Sequence, residues 1–139
     1  VPLYIARSDL DQRFGQAQTA QAAWRDGLDV DQVIAAAISG AGEIIDGYLA
    51  GGGYGLPLDP APALIAEIAL DIAWYKLWTG AIPDDVATRY KDALRQLVDI
   101  QSGRLVLQVA GAEVLPADSD SEVLLDAPPR PLQGNMGGY

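Results

Sequence analysis

Cysteine and histidine are both missing from the 139 residues. Without cysteine there can be no disulfide, no thiolate nucleophile and no zinc–sulfur site, so the redox compartment stays open. Without histidine the usual general base near neutral pH and the commonest metal ligand are gone, and most hydrolase and transferase mechanisms lose their natural catalyst. Positive charge is also scarce. Nine Lys and Arg stand against nineteen Asp and Glu, a formal net charge of −10. That balance repels phosphates, and the basic residues are scattered instead of forming a stripe, which disfavours gripping DNA. Long apolar runs are lacking too: Glu67, Asp71 and Lys76 interrupt the most apolar stretch, Ala63 to Trp78, so no run is expected to reach the length of a membrane span. The opening VPLYIARSDL has neither the basic region nor the long apolar core of a signal peptide. The chain therefore reads as soluble and unexported, with no membrane partner.

What is present is half hydrophobic, enough to bury one domain's core. Ser8, followed by Asp9, Leu10 and Asp11, predicts an N-cap and a short helix to Phe14, with Gly15 as its left-handed stop. Gln16 to Gly27 has poor periodicity and reads as loop with at most a helical turn. Asp29 with Gln32 resembles a capping box, and Val30, Val33/Ile34, Ala37/Ile38, Ala41, Ile44/Ile45 and Tyr48/Leu49 then mark one helical face. Gly40 and Gly42 within it suggest close helix approach. Gly51, Gly52 and Gly53, with Pro57, Pro60 and Pro62 beyond, form a structural elbow.

A second long helix is predicted over Ala63 to Thr79, roughly 27 Å long at about 1.5 Å per residue. Its stripe of Leu64, Ile68, Ile72 and Tyr75 is matched by apolar Ala66, Leu70, Ala73 and Leu77 opposite, so it is either central to the fold or shared with a neighbouring subunit. Pro83, Asp84 and Asp85 open a third long helix with a face at Val86, Tyr90, Ala93/Leu94, Leu97 and Ile100/Gln101, which Gly103 stops. Leu105, Leu107 and Val109 alternate as a short strand; Glu113 to Asp120 reads as loop, and Val123 to Leu125 as a candidate partner strand. The fold class is thus mainly α: three long helices, one short N-terminal helix, a small C-terminal strand pair and an extended C-terminal arm. Residues 1–110 read as the helical domain, and 111–139 as acidic loop, short strand and arm.

Each chemical motif is met by a plainer reading. RDGLDVDQ, with Asp26, Asp29 and Asp31, looks like a calcium loop, but aligning Gly27 with the turn glycine puts Ala22, Trp24 and Val33 at ligand positions; turn plus helix cap fits better. GYLAGGGYG follows a helix and lacks the Lys-Ser/Thr end of a phosphate loop, so it is an elbow. The carboxylate pairs Glu67/Asp71 and Asp84/Asp85 carry no sign of burial and read as solvated faces. No catalytic, cofactor-binding or metal-binding residue is expected, and the chain does not read as an enzyme. Trp74 and Trp78, four apart, are either core residues or, with Leu70 and Leu77, an inter-subunit interface. The closing PPRPLQGNMGGY is either plain disorder or a binding arm anchored by Pro128, Pro129, Arg130, Leu132, Met136 and Tyr139.

The order of YIARSDLDQRFG (Tyr4 to Gly15), EIIDGYLAGGGYGLPL (Glu43 to Leu58), IALDIAWYKL (Ile68 to Leu77), RYKDALRQL (Arg89 to Leu97) and PPR (Pro128 to Arg130) resembles the small head–tail connector family of Mu-like phages and prophages. The resemblance covers nearly the whole chain, departing at Gln16 to Gly27, Gly111 to Glu122 and the terminal GGY. It implies a non-enzymatic virion protein of the neck, made in the host cytoplasm. It further implies a homo-oligomeric, dodecameric ring below the portal protein that extends the DNA channel and docks the tail or stopper protein, the arm reaching the portal or a neighbouring ring. DNA would pass without specific binding, and acidic walls suit such a passage, although solubility explains the charge equally well. The rival from another class is an acidic helical regulator, a DNA mimic or antitoxin, that fills the cleft of a basic protein.

Overall fold

In the computed structural model, residues 3–109 and 111–116 are described. They form α1 (Arg7–Phe14), α2 (Gln16–Ala23), α3 (Val30–Gly51), α4 (Ala63–Leu77), α5 (Asp84–Gln101), β1 (Leu107–Val109) and β2 (Ala112–Val114). The arm residues Pro128, Pro129, Arg130, Leu132, Met136 and Tyr139, and the expected strand Val123 to Leu125, lie outside the described residues.

Helix α4 packs against both α3 and α5, which also meet each other, so the three long helices share one core. Ile65, Ile68, Ala69, Leu70, Ile72, Ala73, Trp74 and Leu77 of α4 are all buried, which makes it the central element. From α3 the buried set is Ile34, Ala37, Ile38, Ala41, Gly42, Ile45 and Leu49; from α5 it is Val86, Ala93, Leu97 and Ile100. These are the faces that three- and four-residue spacing predicts. A Cβ on Gly40 would lie 3.1 Å from the Lys76 side chain, so the aliphatic stem of that α4 lysine covers α3 there. By length and composition α3 is also apolar enough to cross a membrane, which corrects the expectation that no run reaches that size. Here its apolar face is buried against α4 and α5.

Several boundaries differ from the sequence expectation for identifiable reasons. The N-cap of α1 is Ala6, not Ser8: the Asp9 carboxylate, three residues into the helix, accepts the Ala6 N–H at 2.8 Å and places Ser8 inside the first turn. Gln16 to Ala23 is a helix instead of a loop. Its two buried side chains, Thr19 and Ala23, are small and four apart, so they dock closely without giving a strong apolar period, and the Thr19 hydroxyl donates to the Gly15 carbonyl at 2.9 Å. Helix α4 stops at Leu77 instead of Thr79, because the Arg25 guanidinium takes the Leu77 carbonyl at 2.9 Å and Trp78 turns extended. Its 15 residues span about 22 Å.

The expected cap of α3 is present, the Asp29 carboxylate accepting from the Asp31 N–H at 3.0 Å. At its other end Gly52 is the C-cap and Gly53 has φ +86°. The peptide bonds before Pro57 and Pro60 are cis. The partner of β1 is β2, within the segment expected to be loop, in antiparallel register Leu107↔Val114, Gln108↔Glu113 and Val109↔Ala112, with Gly111 at φ +83° in the turn. Alternation over three residues is too short a signal to separate a strand from a loop.

Candidate interaction surface

Aromatic rings hold α1 onto α4. Phe14 stacks on Trp74 with centroids 4.1 Å apart and planes 5° from parallel, and Trp74 meets Trp78 edge-on at 5.9 Å. Arg13 lies 5.9 Å above the Phe14 ring and pairs with Glu67, closing the same seam. On the other flank of α4, Tyr75 stacks on Tyr90 of α5 at 3.9 Å. Of the residues expected either in the core or at an inter-subunit face, three are covered within the single chain. Trp74 and Leu70 are 6 % exposed and Leu77 is fully buried, all within one chain. Leu70 and Leu77 therefore present almost no free surface while α1 and α2 stay seated, Trp74 keeps only a small area open to a recess, and Trp78 is half-buried.

A second seam runs through Tyr4. Its hydroxyl donates to an Asp46 carboxylate oxygen and accepts the Leu58 N–H at 3.3 Å, clipping the N-terminal segment to both α3 and the elbow. Burial, reinforced by the hydrogen bond to Asp46 and by that carboxylate's charge, pushes the Tyr4 pKa up to about 12, with the Leu58 N–H opposing. At the elbow itself, a Cβ on Gly52 would lie 3.1 Å from the backbone of Gln101, so glycine lets the end of α5 approach the end of α3. The Gln101 side chain completes the join by donating to the Tyr48 carbonyl at 3.0 Å. Gly51 is thus the last residue of α3, Gly52 its cap and Gly53 the positive-φ residue after it, and Pro57 lines a groove beyond them.

Asp71 departs from the expectation of a solvated face. It is half-buried, one carboxylate oxygen has no partner among the described residues, and desolvation raises its pKa, Arg13 and Arg89 opposing while Glu67 and Asp92 add to the rise. It sits on α4 between arginines of α1 and α5, a carboxylate caught in helix packing. Among the described residues no group of acidic side chains has a metal-holding arrangement.

The remaining surface offers recesses, of which the first and third below are mainly apolar and the second is mixed. One of about 670 Å³ lies between the N-terminal segment and α3, lined by Leu3, Ile5, Arg7, Asp31, Ile34 and Ile38. Another, about 500 Å³, lies between α2 and the end of α4, lined by Gln18, Gln21, Trp24, Trp74, Trp78 and Thr79. A third, about 410 Å³, joins the elbow to the hairpin through Tyr54, Pro57, Leu58, Pro60, Val109 and Leu115.

Of the exposed large apolar side chains, Leu3 stands on the N-terminal segment and Val98 on α5, and the other five fall at the two ends of α3. Trp24 (64 % exposed) and Leu28 (60 %) precede its first turn, where Arg25 also holds the end of α4. Leu56, Val106 and Leu115 lie at the other end, where α5 leads into the hairpin. With 22 residues, α3 separates the two groups by about 33 Å. Sequence reasoning missed Trp24 and the Tyr4–Asp46–Leu58 join. Trp24 was legible only as an aromatic in a segment without period, and the join links residues 42 and 54 positions apart.

Residues 4–124 match the family described as Bacteriophage Mu, Gp36. The chain is similar to the Mu-like prophage FluMu protein gp36 of Haemophilus influenzae, 33 % identical over 107 residues that cover 76 % of this chain and 75 % of the relative. It is also similar to Gene product J of Escherichia phage Mu, 32 % identical over 79 residues, 57 % of this chain and 55 % of that protein.

Proposed function

The chain belongs to the Bacteriophage Mu Gp36 family, and from this premise we propose that it is a non-enzymatic structural protein of the virion, a head–tail connector whose copies close a ring below the portal. The observation that carries the ring is that two separate groups of exposed apolar side chains stand at opposite ends of α3. A closed ring requires heterologous contacts, in which one surface of each subunit meets a different surface of the next. Trp24 and Leu28 at one end, with Leu56 and Leu115 at the other, supply two such surfaces about 33 Å apart. The Tyr4, Arg13 and Gln101 contacts tie α1, α3, α4 and α5 into a stiff body, as a subunit bearing load between head and tail must be. A net charge of −10 suits a passage through which DNA slides without sticking. In this reading twelve copies extend the channel, one ring face meets the portal and the other the tail or stopper. The proline-rich arm reaches beyond its own subunit.

The test is sizing by light scattering, first alone and then with purified portal rings, comparing the full chain with variants carrying Trp24→Ala and Leu28→Ala or Leu56→Ala and Leu115→Ala. Ring-sized complexes on the portal with the parent chain, lost with either pair, are the expected result. A parent chain that ignores the portal at every concentration yet captures a small basic protein would overturn this reading in favour of an acidic regulator.

A further inference from the structure

The recess between α2 and the end of α4 differs from the others in its chemistry. Half-buried Trp78 and the small part of Trp74 that Phe14 leaves uncovered line it, Trp24 stands 64 % exposed beside them, and Gln18, Gln21 and Thr79 supply amide and hydroxyl groups. Trp78 also keeps a buried indole N–H without a partner among the described residues. Flat aromatic walls interleaved with side-chain donors are what a proline-rich strand requires. Its rings pack on indole faces, and its carbonyls, which have few N–H groups of their own strand to serve, accept from the donors. Such a strand also loses little entropy on docking.

This chain carries a proline-rich sequence of that kind at Pro128–Leu132, with Arg130 between prolines. Its described part ends at Pro116, beside the hairpin. The recess is at the opposite end of the molecule, about 33 Å away along α3. The twelve residues from Pro116 to Pro128 span about 20 Å on average as coil and at most about 42 Å drawn straight. Reaching its own recess would demand nearly full extension over the length of the molecule. In a head-to-tail ring, by contrast, the hairpin end of one subunit abuts the Trp24 end of the next, and the distance disappears. Asp26, exposed two residues from Trp24, offers Arg130 a carboxylate there.

We propose that the Trp24–Trp74–Trp78 recess receives the Pro128–Leu132 segment of a second copy of this chain, lacing successive subunits together. The inference rests on the head-to-tail arrangement proposed above. The probe is a labelled peptide of residues 126–139, titrated by fluorescence anisotropy with the full-length chain in which Pro128, Pro129 and Pro131 are replaced by Ala, so that its recess is free. Saturable binding is expected, weakened roughly tenfold by adding Trp24→Ala, as an aromatic anchor is worth, and less by Gln21→Ala. Replacing the peptide's prolines with alanine should abolish it. Full-length Trp24→Ala and the tail variant, each monomeric by light scattering, should form pairs when mixed, since together they hold one intact recess and one intact tail. Absence of saturable binding, or equal binding to the Trp24→Ala chain, overturns the proposal. So does an intact chain that excludes the peptide to the same extent at every dilution, the mark of docking on its own recess. Loading onto portal rings separates the two readings. If the tail variant loads normally and the peptide does not bind, this contact fails and the connector stands; if the peptide binds and the parent chain ignores the portal, the connector fails and the contact stands.

Discussion

At the scale of single residues, glycines and hydroxyls set local stability. Gly52 and Gly47 make an informative pair. A Cβ at Gly52 would meet the Gln101 backbone at 3.1 Å, whereas one at Gly47, inside α3, meets nothing within 4 Å. Gly52→Ala should therefore cost about 1–3 kcal/mol in denaturant unfolding, while Gly47→Ala should add up to about 1 kcal/mol by reducing backbone freedom in the unfolded chain. Tyr4 is a second case. Its folded pKa, raised from 10.0 to about 12, means the folded state favours the neutral phenol. That contribution is complete below pH 10 and disappears as pH climbs toward 12. Tyr4→Phe should flatten the alkaline loss of stability followed by circular dichroism; Tyr54, raised in the same direction by burial, leaves a residual slope. Asp71 has the same sense in the acid range, since its raised carboxyl pKa makes ionisation unfavourable in the folded state. Asp71→Asn should raise the melting temperature at pH 7 and give no gain once the pH falls below the carboxylate range. A gain that persists there would show that burial is not the cause.

At the scale of elements, the α1–α2 pair is the part that the periodicity of the sequence least prepares one for. Its hold on the core depends on Phe14 over Trp74 and on the small buried side chains Thr19 and Ala23. Phe14→Ala should cost about 2–4 kcal/mol and shift tryptophan emission to longer wavelength as Trp74 becomes wet. An unchanged emission maximum would mean that α2 alone covers that ring. By the same logic Ala23→Leu forces extra volume under α2, and hydrogen exchange over residues 16–23 should accelerate before that of α4 does.

At the scale of the whole molecule, a central helix buried on nearly every side leaves two groups of exposed apolar side chains at the ends of the bundle. Contacts made there should be largely insensitive to salt, because screening weakens charge pairs and leaves apolar burial intact. Complexes of the full chain with portal rings should accordingly survive several hundred millimolar salt in sedimentation. A steep loss of binding with ionic strength would instead point to an acidic surface seeking a basic cleft.

Sequence alone determined the elements whose signals are local. The Asp29 cap, the apolar periods of α3 and α5, the Gly51–Gly53 elbow and the stop at Gly103 each depend on residues within one or two turns, and all stand where spacing puts them. The lack of cysteine and histidine likewise constrains the chemistry before any fold is known. Tertiary structure decided the rest, for one physical reason: a helix with two apolar sides does not record which side its own chain will cover. Leu70, Trp74 and Leu77 were equally suited to a core and to a subunit contact until α1, α2 and the neighbouring helices closed over them. The half-burial of Asp71, the end of α4 at an arginine 52 residues away, and the emergence of Trp24 as the exposed aromatic all follow from that packing.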